Sequence, residues 1–284
     1  MSTLMIARFT LQEAVSRRLI LAGVLLSLAF LGLFALGFGL IYQSDSELSG
    51  PLSDAQTQAV FGTVMTVLGL YAIYFLAGFL ALFLSVGSVS GEIDSGALHA
   101  VLAHPIRRAE FIAGRWLAYA GLVSVYVGLM SGLLLLIVRL ISGFQVPDPV
   151  RAGALMVLAS VVLLTLSLLG SALLSTLANG VVVFTLFGLA WLGGIIEFVG
   201  TVLKNEAMLN VGTAVSLLIP SDAVWRSASY YVQSPLFIAG LPPGAFGIPF
   251  ASTSPPATPL LIWAAGYVAA CLLMAVLAFS HRDL

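Results

Sequence analysis

Charge is what this sequence has least of. Only 8% of its 284 residues are Asp, Glu, Lys or Arg, against roughly a quarter in ordinary soluble domains. With 60% of the residues hydrophobic, too little polar surface exists to face water on all sides. That excludes a soluble globular fold and makes lipid the solvent for most of the outer surface. Eleven basic and twelve acidic residues nearly cancel, so no overall bias toward nucleic acid follows. A single cysteine, Cys271, excludes an intramolecular disulfide and reads as a small hydrophobe within an apolar run. Seven methionines without clustering offer no thioether site for copper. No Gly-x-x-x-x-Gly-Lys-Ser/Thr loop occurs, so the phosphate cradle of a nucleotide hydrolase is missing. His99 and His104 stand five apart, unlike the i, i+4 pairs that hold zinc, and no carboxylate pair completes a ligand set. No Ser, His and acid combination recurs either. Neither a catalytic, a cofactor-binding nor a metal site is expected, and the chain does not read as an enzyme.

What is present is long apolar runs. A helix crossing the hydrocarbon needs about 20 such residues, and six stretches qualify: 19–42, 60–86, 111–140, 152–177, 181–203 and 259–279. They predict an all-α integral membrane fold, a single domain of six transmembrane helices. Between the fourth and fifth stand only Ala178, Asn179 and Gly180, and Asn-Gly is a turn signal. A tight hairpin is expected there. The first run is too long for a signal peptide and lacks a small-residue cleavage site, so it is expected to stay in the mature protein.

Lys and Arg in short loops favour the cytoplasm. With both termini inside, Arg8, Arg17, Arg18, Arg107, Arg108, Arg115 and Arg282 are cytoplasmic, seven of the eleven basic residues. Residues 2–17 place Leu4, Ala7, Leu11, Ala14 and Val15 along one helical side, which predicts an interfacial helix, although Met5 and Phe9 lie off that stripe. The inner segment from Gly91 to Gly114 spaces Ile93, Ala97, Leu98, Val101 and Leu102 helically before Pro105 interrupts. Such a ridge either docks in a groove on another protein or rests on headgroups, with Arg107 and Arg108 as lipid anchors. The outer stretch 204–258 holds a short apolar run, Gly212 to Ile219, that lies on or re-enters the outer interface. Trp225, Tyr230 and Tyr231 suit an aromatic belt. Glu197 falls inside the fifth run, where an ionised side chain costs about 2.5 to 3.5 kcal/mol. Either it lines a pathway or dimer interface, or the helix ends early and it sits among headgroups. Gly128-Leu129-Met130-Ser131-Gly132 is a small-xxx-small element, expected to pack within the chain.

The inner segment resembles that of ABC-2-type ABC transporter permeases. Glu92, Gly96-Ala97-Leu98, Pro105-Ile106-Arg107-Arg108 and Gly114-Arg115 match the family's Glu, Gly-Thr-Leu, Pro-x-x-Arg and Gly-Lys. Ala97 departs from Thr, and Arg115 from Lys. Ile219-Pro220-Ser221-Asp222-Ala223-Val224-Trp225-Arg226 is similar to an Asn-Pro-x-Asp-x-aromatic-Arg segment after the family's fifth span. The N-terminal stretch looks like its interfacial helix, with Thr10 where an acid is common.

The resemblance implies a half-size permease in a bacterial or archaeal cytoplasmic membrane, similar to the small permeases paired with a separate ATPase. That group includes the permease assisting nitrous oxide reductase maturation. The implied partners are two ABC ATPase subunits carrying ATP and magnesium, a second copy of this chain, and membrane lipid, but no nucleic acid. The coupling helix between spans two and three would use Glu92, Ile93, Gly96, Leu98, Val101, Leu102, Pro105, Arg107 and Arg108. In the resembling family spans two and five face the central pathway, which makes Thr63, Thr66, Tyr71, Tyr74, Thr185, Phe187, Trp191 and Glu197 candidates for the pathway or dimer interface. Export is the implied direction, and a secondary transporter or channel working without ATP is the alternative.

Overall fold

The computed structural model describes residues 3–16, 18–48, 54–94, 108–240, 248 and 250–281. Every element among them is helical: α1 (Thr3–Ser16), α2 (Arg18–Leu48), α3 (Asp54–Ser85), α4 (Ser90–Asp94), α5 (Arg108–Ser142), α6 (Pro149–Leu173), α7 (Thr176–Leu203), α8 (Glu206–Leu218), α9 (Ser221–Tyr230), α10 (Pro235–Ala239) and α11 (Thr258–Ser280). Six of these, α2, α3, α5, α6, α7 and α11, are long and apolar enough to cross a membrane. The chain is a multi-pass membrane protein.

The centre of the bundle is α6. Its start is fixed by Asp148, whose side chain accepts the Arg151 amide, and by Pro149 in the first turn, where the missing N–H costs nothing. Apolar on every face, α6 can be surrounded, and it packs on α3, α5, α7, α9 and α11. The most apolar window of α6, like that of α3, is 61% buried, whereas those of α2 and α11 are 17% buried and that of α7 is 28%. Spans two and four therefore form the core, and spans one, five and six leave most of their apolar surface for lipid or another chain.

The hairpin between α6 and α7 differs from the sequence expectation. Leu174 and Ser175 make the turn in extended conformation, and Ala178, Asn179 and Gly180 lie within α7. Asn179 is fully buried; its amide is used inside the bundle instead. In α1 the buried positions are Ile6, Thr10 and Ala14, packed on α5, while Leu4 and Leu11 are exposed. The helical spacing is right but the stripe is rotated, because a Cβ at Gly114 would stand 2.8 Å from the Ile6 side chain and this close approach sets the register. The Gly128 and Gly132 surface is exposed with open space beside both, so the glycine face of this element does not pack within the chain, whereas Met130 and Ser131 between them are buried.

At the C-terminal end of α7, Lys204 adopts a left-handed conformation (φ 51°) and the Asn205 amide bonds back to the Gly200 carbonyl at 2.9 Å. This reverses the chain, and α8 returns along α7. The two helices approach to backbone contact: a Cβ at Gly212 would lie 2.9 Å from the Gly193 carbonyl. Pro220 then stops α8, and α9 departs at 103° to enter the bundle. Its Trp225 is fully buried, with the indole Nε1 donating to the Phe250 carbonyl at 3.1 Å. Trp225 is thus a core residue and not part of an interfacial belt; Tyr230 and Tyr231 are half-buried.

Candidate functional site

Among the described residues, two polar clusters interrupt the apolar bundle, one at each end, named inner and outer after the sides expected from the sequence. The inner cluster is built where α3 stops at Ser85 and the chain turns through Val86–Val89 into α4. A broken helix leaves backbone groups without partners, costly away from water. Here the α6–α7 hairpin supplies them. Asn179 Nδ2 donates to the Val86 carbonyl at 2.8 Å and to the Ser167 carbonyl at 2.9 Å. Ser171 Oγ accepts the amides of Val89 and Ser90 at 3.0 and 3.2 Å, and Ser90 Oγ lies 2.7 Å from Thr176 Oγ1.

Just beyond the break, Glu92 forms an ion pair with Arg115 of α5. The Arg115 guanidinium also donates to the Ser88 carbonyl and lies over the Phe111 ring, 4.8 Å from its centroid. A planar fork can serve a carboxylate and a carbonyl together while stacking on a ring, which a lysine ammonium cannot. Arg108 Nη1 donates to the carbonyls of Phe279 and Ser280, both at 3.0 Å. It caps the last turn of α11 with a positive charge, the favourable sign at a helix C-terminus. Glu92 and Arg108 therefore both reach into this chain's own helices. Ile93 lies in α4. Gly96, Leu98, Val101, Leu102, Pro105 and Arg107, with His99 and His104, fall outside the described residues.

The outer cluster is built by the return of α8 and α9 onto α7. Glu197 Oε2 accepts from Arg226 Nη2 at 2.8 Å, and the same Nη2 lies 3.1 Å from Ser216 Oγ. On its other side, Arg226 Nε stands 3.0 Å from Asp222 Oδ2. Asp222 is buried against Gly194, where an added Cβ would fall 2.1 Å from the carboxylate. Glu197 is therefore neither stranded in lipid nor simply exposed at the headgroups: its helix continues to Leu203, and its partner comes from α9. A cavity of about 320 Å³ opens beside the cluster, lined by Glu197, Arg226, Thr213, Ser216, Ser252 and Leu260 among others.

The candidate pathway residues separate into two sets. Thr63, Thr66, Tyr74 and Phe187 are buried in the interior of this chain. Thr63 Oγ1 accepts the Ser234 amide at 3.1 Å, and Tyr74 stacks on Trp225 at 5.5 Å. Thr185 is exposed, and Tyr71, Trp191 and Glu197 are half-buried. Trp191 Nε1 donates to the Tyr71 hydroxyl at 2.6 Å, joining α7 to α3.

The sequence reading missed Asn179, Ser171 and Thr176 because isolated polar residues in apolar helices show no partner until the helices pack. It placed Asp222 and Arg226 in one segment without Glu197. The i, i+4 spacing of Asp222 and Arg226 was an available signal for part of that cluster. No curated protein sequence matches the chain. A family model described as "ABC-2 family transporter protein" matches residues 5–284, and with that span covered, the chain belongs to the ABC-2 transporter family.

Proposed function

We propose that this chain is the permease subunit of an ABC exporter, coupling ATP hydrolysis by two separate nucleotide-binding subunits to translocation across a cytoplasmic membrane, and that it works as a dimer of identical chains. ATP and magnesium belong to the partner ATPase. The observation that carries the reading is the convergence at Arg115. The segment between spans two and three runs from α4, which holds Glu92, to the start of α5 at Arg108, and both flanks are bonded to the bundle, Glu92 to α5 and Arg108 to α11. A push on that segment would reach spans two, three and six together. Two states biased by nucleotide must differ in such contacts. In this reading Ile93, Leu98, Val101 and Leu102 dock on the ATPase, and Glu92, Arg107 and Arg108 fix the position.

The set of exposed Thr185 and half-buried Tyr71, Trp191 and Glu197 faces the second copy in this reading, and the weakly buried window of α7 supports this. Its chemistry, apolar with hydroxyls, suits an amphipathic cargo better than a bare ion. The test is copurification of a co-expressed ATPase with the wild-type chain and with Leu98→Glu and Leu102→Glu variants. Retention by the wild type and loss by both variants is expected. Undiminished association of the variants, or ion-gradient-driven flux by the purified chain alone, contradicts the reading.

A further inference from the structure

We propose that the outer cavity beside Glu197 binds the ammonium group of an amphiphile. Its polar wall carries two charged side chains, Glu197 and Arg226. Arg226 is already paired behind the wall, through Nε, with the buried Asp222. Two carboxylates thus share one guanidinium, leaving one negative charge on the cluster, and Glu197 is the member that borders the cavity. The hydroxyls of Thr213, Ser216 and Ser252 complete the polar lining. Hydroxyl oxygens accept hydrogen bonds from an ammonium as readily as they donate to an anion, so the charge sets the sign.

Another part of the lining is apolar. Leu217 and Leu260 line the cavity, and Leu217 is 53% exposed. Trp263 Nε1 donates to the Leu217 carbonyl at 3.0 Å, fixing an exposed indole at the same edge. A head that is cationic and a tail that is apolar fit these two parts of the lining together. Two sources supply that chemistry, a phosphatidylethanolamine headgroup and a free amine-bearing amphiphile. The site belongs to this chain alone; its use as the outward station of a pathway rests on the permease reading. A binding assay without ATPase separates the two, since loss of ATPase coupling would leave binding intact and loss of binding would leave coupling intact.

The measurement is thermal stability of the purified chain in dodecyl maltoside, titrated with dodecylamine, dodecanoate or phosphatidylethanolamine. Dodecylamine is expected to raise the unfolding temperature and dodecanoate to leave it unchanged. Glu197→Gln should weaken the apparent affinity for dodecylamine by about tenfold or more. Because Glu197 also pairs with Arg226, a second variant, Thr213→Trp, fills the cavity from an exposed position without altering charge and should abolish the shift. Response to phosphatidylethanolamine as well assigns the source to the lipid headgroup, and response to dodecylamine alone assigns it to a free amphiphile. Equal effects of amine and carboxylate, or an undiminished amine effect in Thr213→Trp, overturn the proposal.

Discussion

Asn179 holds the break in span two closed, and its removal should be felt as lost hydrogen bonds. In Asn179→Leu the Val86 carbonyl loses its Asn179 donor and the Ser167 carbonyl its second one, at a side chain that is fully buried. A loss of about 1–3 kcal/mol is expected, measured by reversible unfolding in bicelles; an unchanged stability contradicts the role. Arg115 makes a sharper comparison. Its side chain is 4% exposed and that of Glu92 is 23%. Arg115→Met removes this ion pair from a largely buried carboxylate, a cost toward the low end of the 3–5 kcal/mol typical of such losses, about 3 kcal/mol. Arg115→Lys keeps the charge but cannot reach Ser88, Glu92 and the Phe111 ring together, so it should fall between wild type and Arg115→Met. If the lysine variant is as unstable as the methionine variant, charge is not what the position needs.

At the scale of elements, the α7–α8 hairpin depends on close backbone approach. Gly212→Leu must displace the Glu197 backbone, whose Cα would lie 2.9 Å from the new Cβ. Overpacking of that kind costs about 1–3 kcal/mol. Gly128→Leu, at an exposed site with open space, should leave monomer stability unchanged, and parallel thermal unfolding of the two variants checks the contrast. The same elements mark how far the sequence could be read. Apolar runs of about 20 residues announce spans directly, because lipid demands length and little else. Asn179-Gly180 misled because an Asn that favours a turn in water can serve as a buried clamp between helices. The stripe on α1 was rotated because Gly114, on another helix, decides which side of α1 is covered. The outer cluster was hidden for a similar reason: Glu197 and Arg226 stand 29 positions apart and meet only through the left-handed turn at Lys204 and the bend at Pro220.

For the whole molecule, the arrangement is two-ended. The inner cluster ties the segment between spans two and three to α5, α6 and α11; the outer cluster ties α8 and α9 back onto α7. Between them Tyr71, Tyr74, Phe75, Phe187 and Trp225 pack at ring distances of 5.1–6.3 Å, so the two ends are joined by stiff contacts and not by empty space. This account stands only if the ends face opposite sides of the membrane. The most direct test is accessibility of single cysteines at Ala100, in the inner segment, and at Ser254, beside the outer cavity, in a Cys271→Ala background. In sealed right-side-out and inverted vesicles, an impermeant thiol reagent should label position 100 only from the cytoplasmic side and position 254 only from the outside. Labelling of both from one side, or of position 100 from the outside, would contradict it.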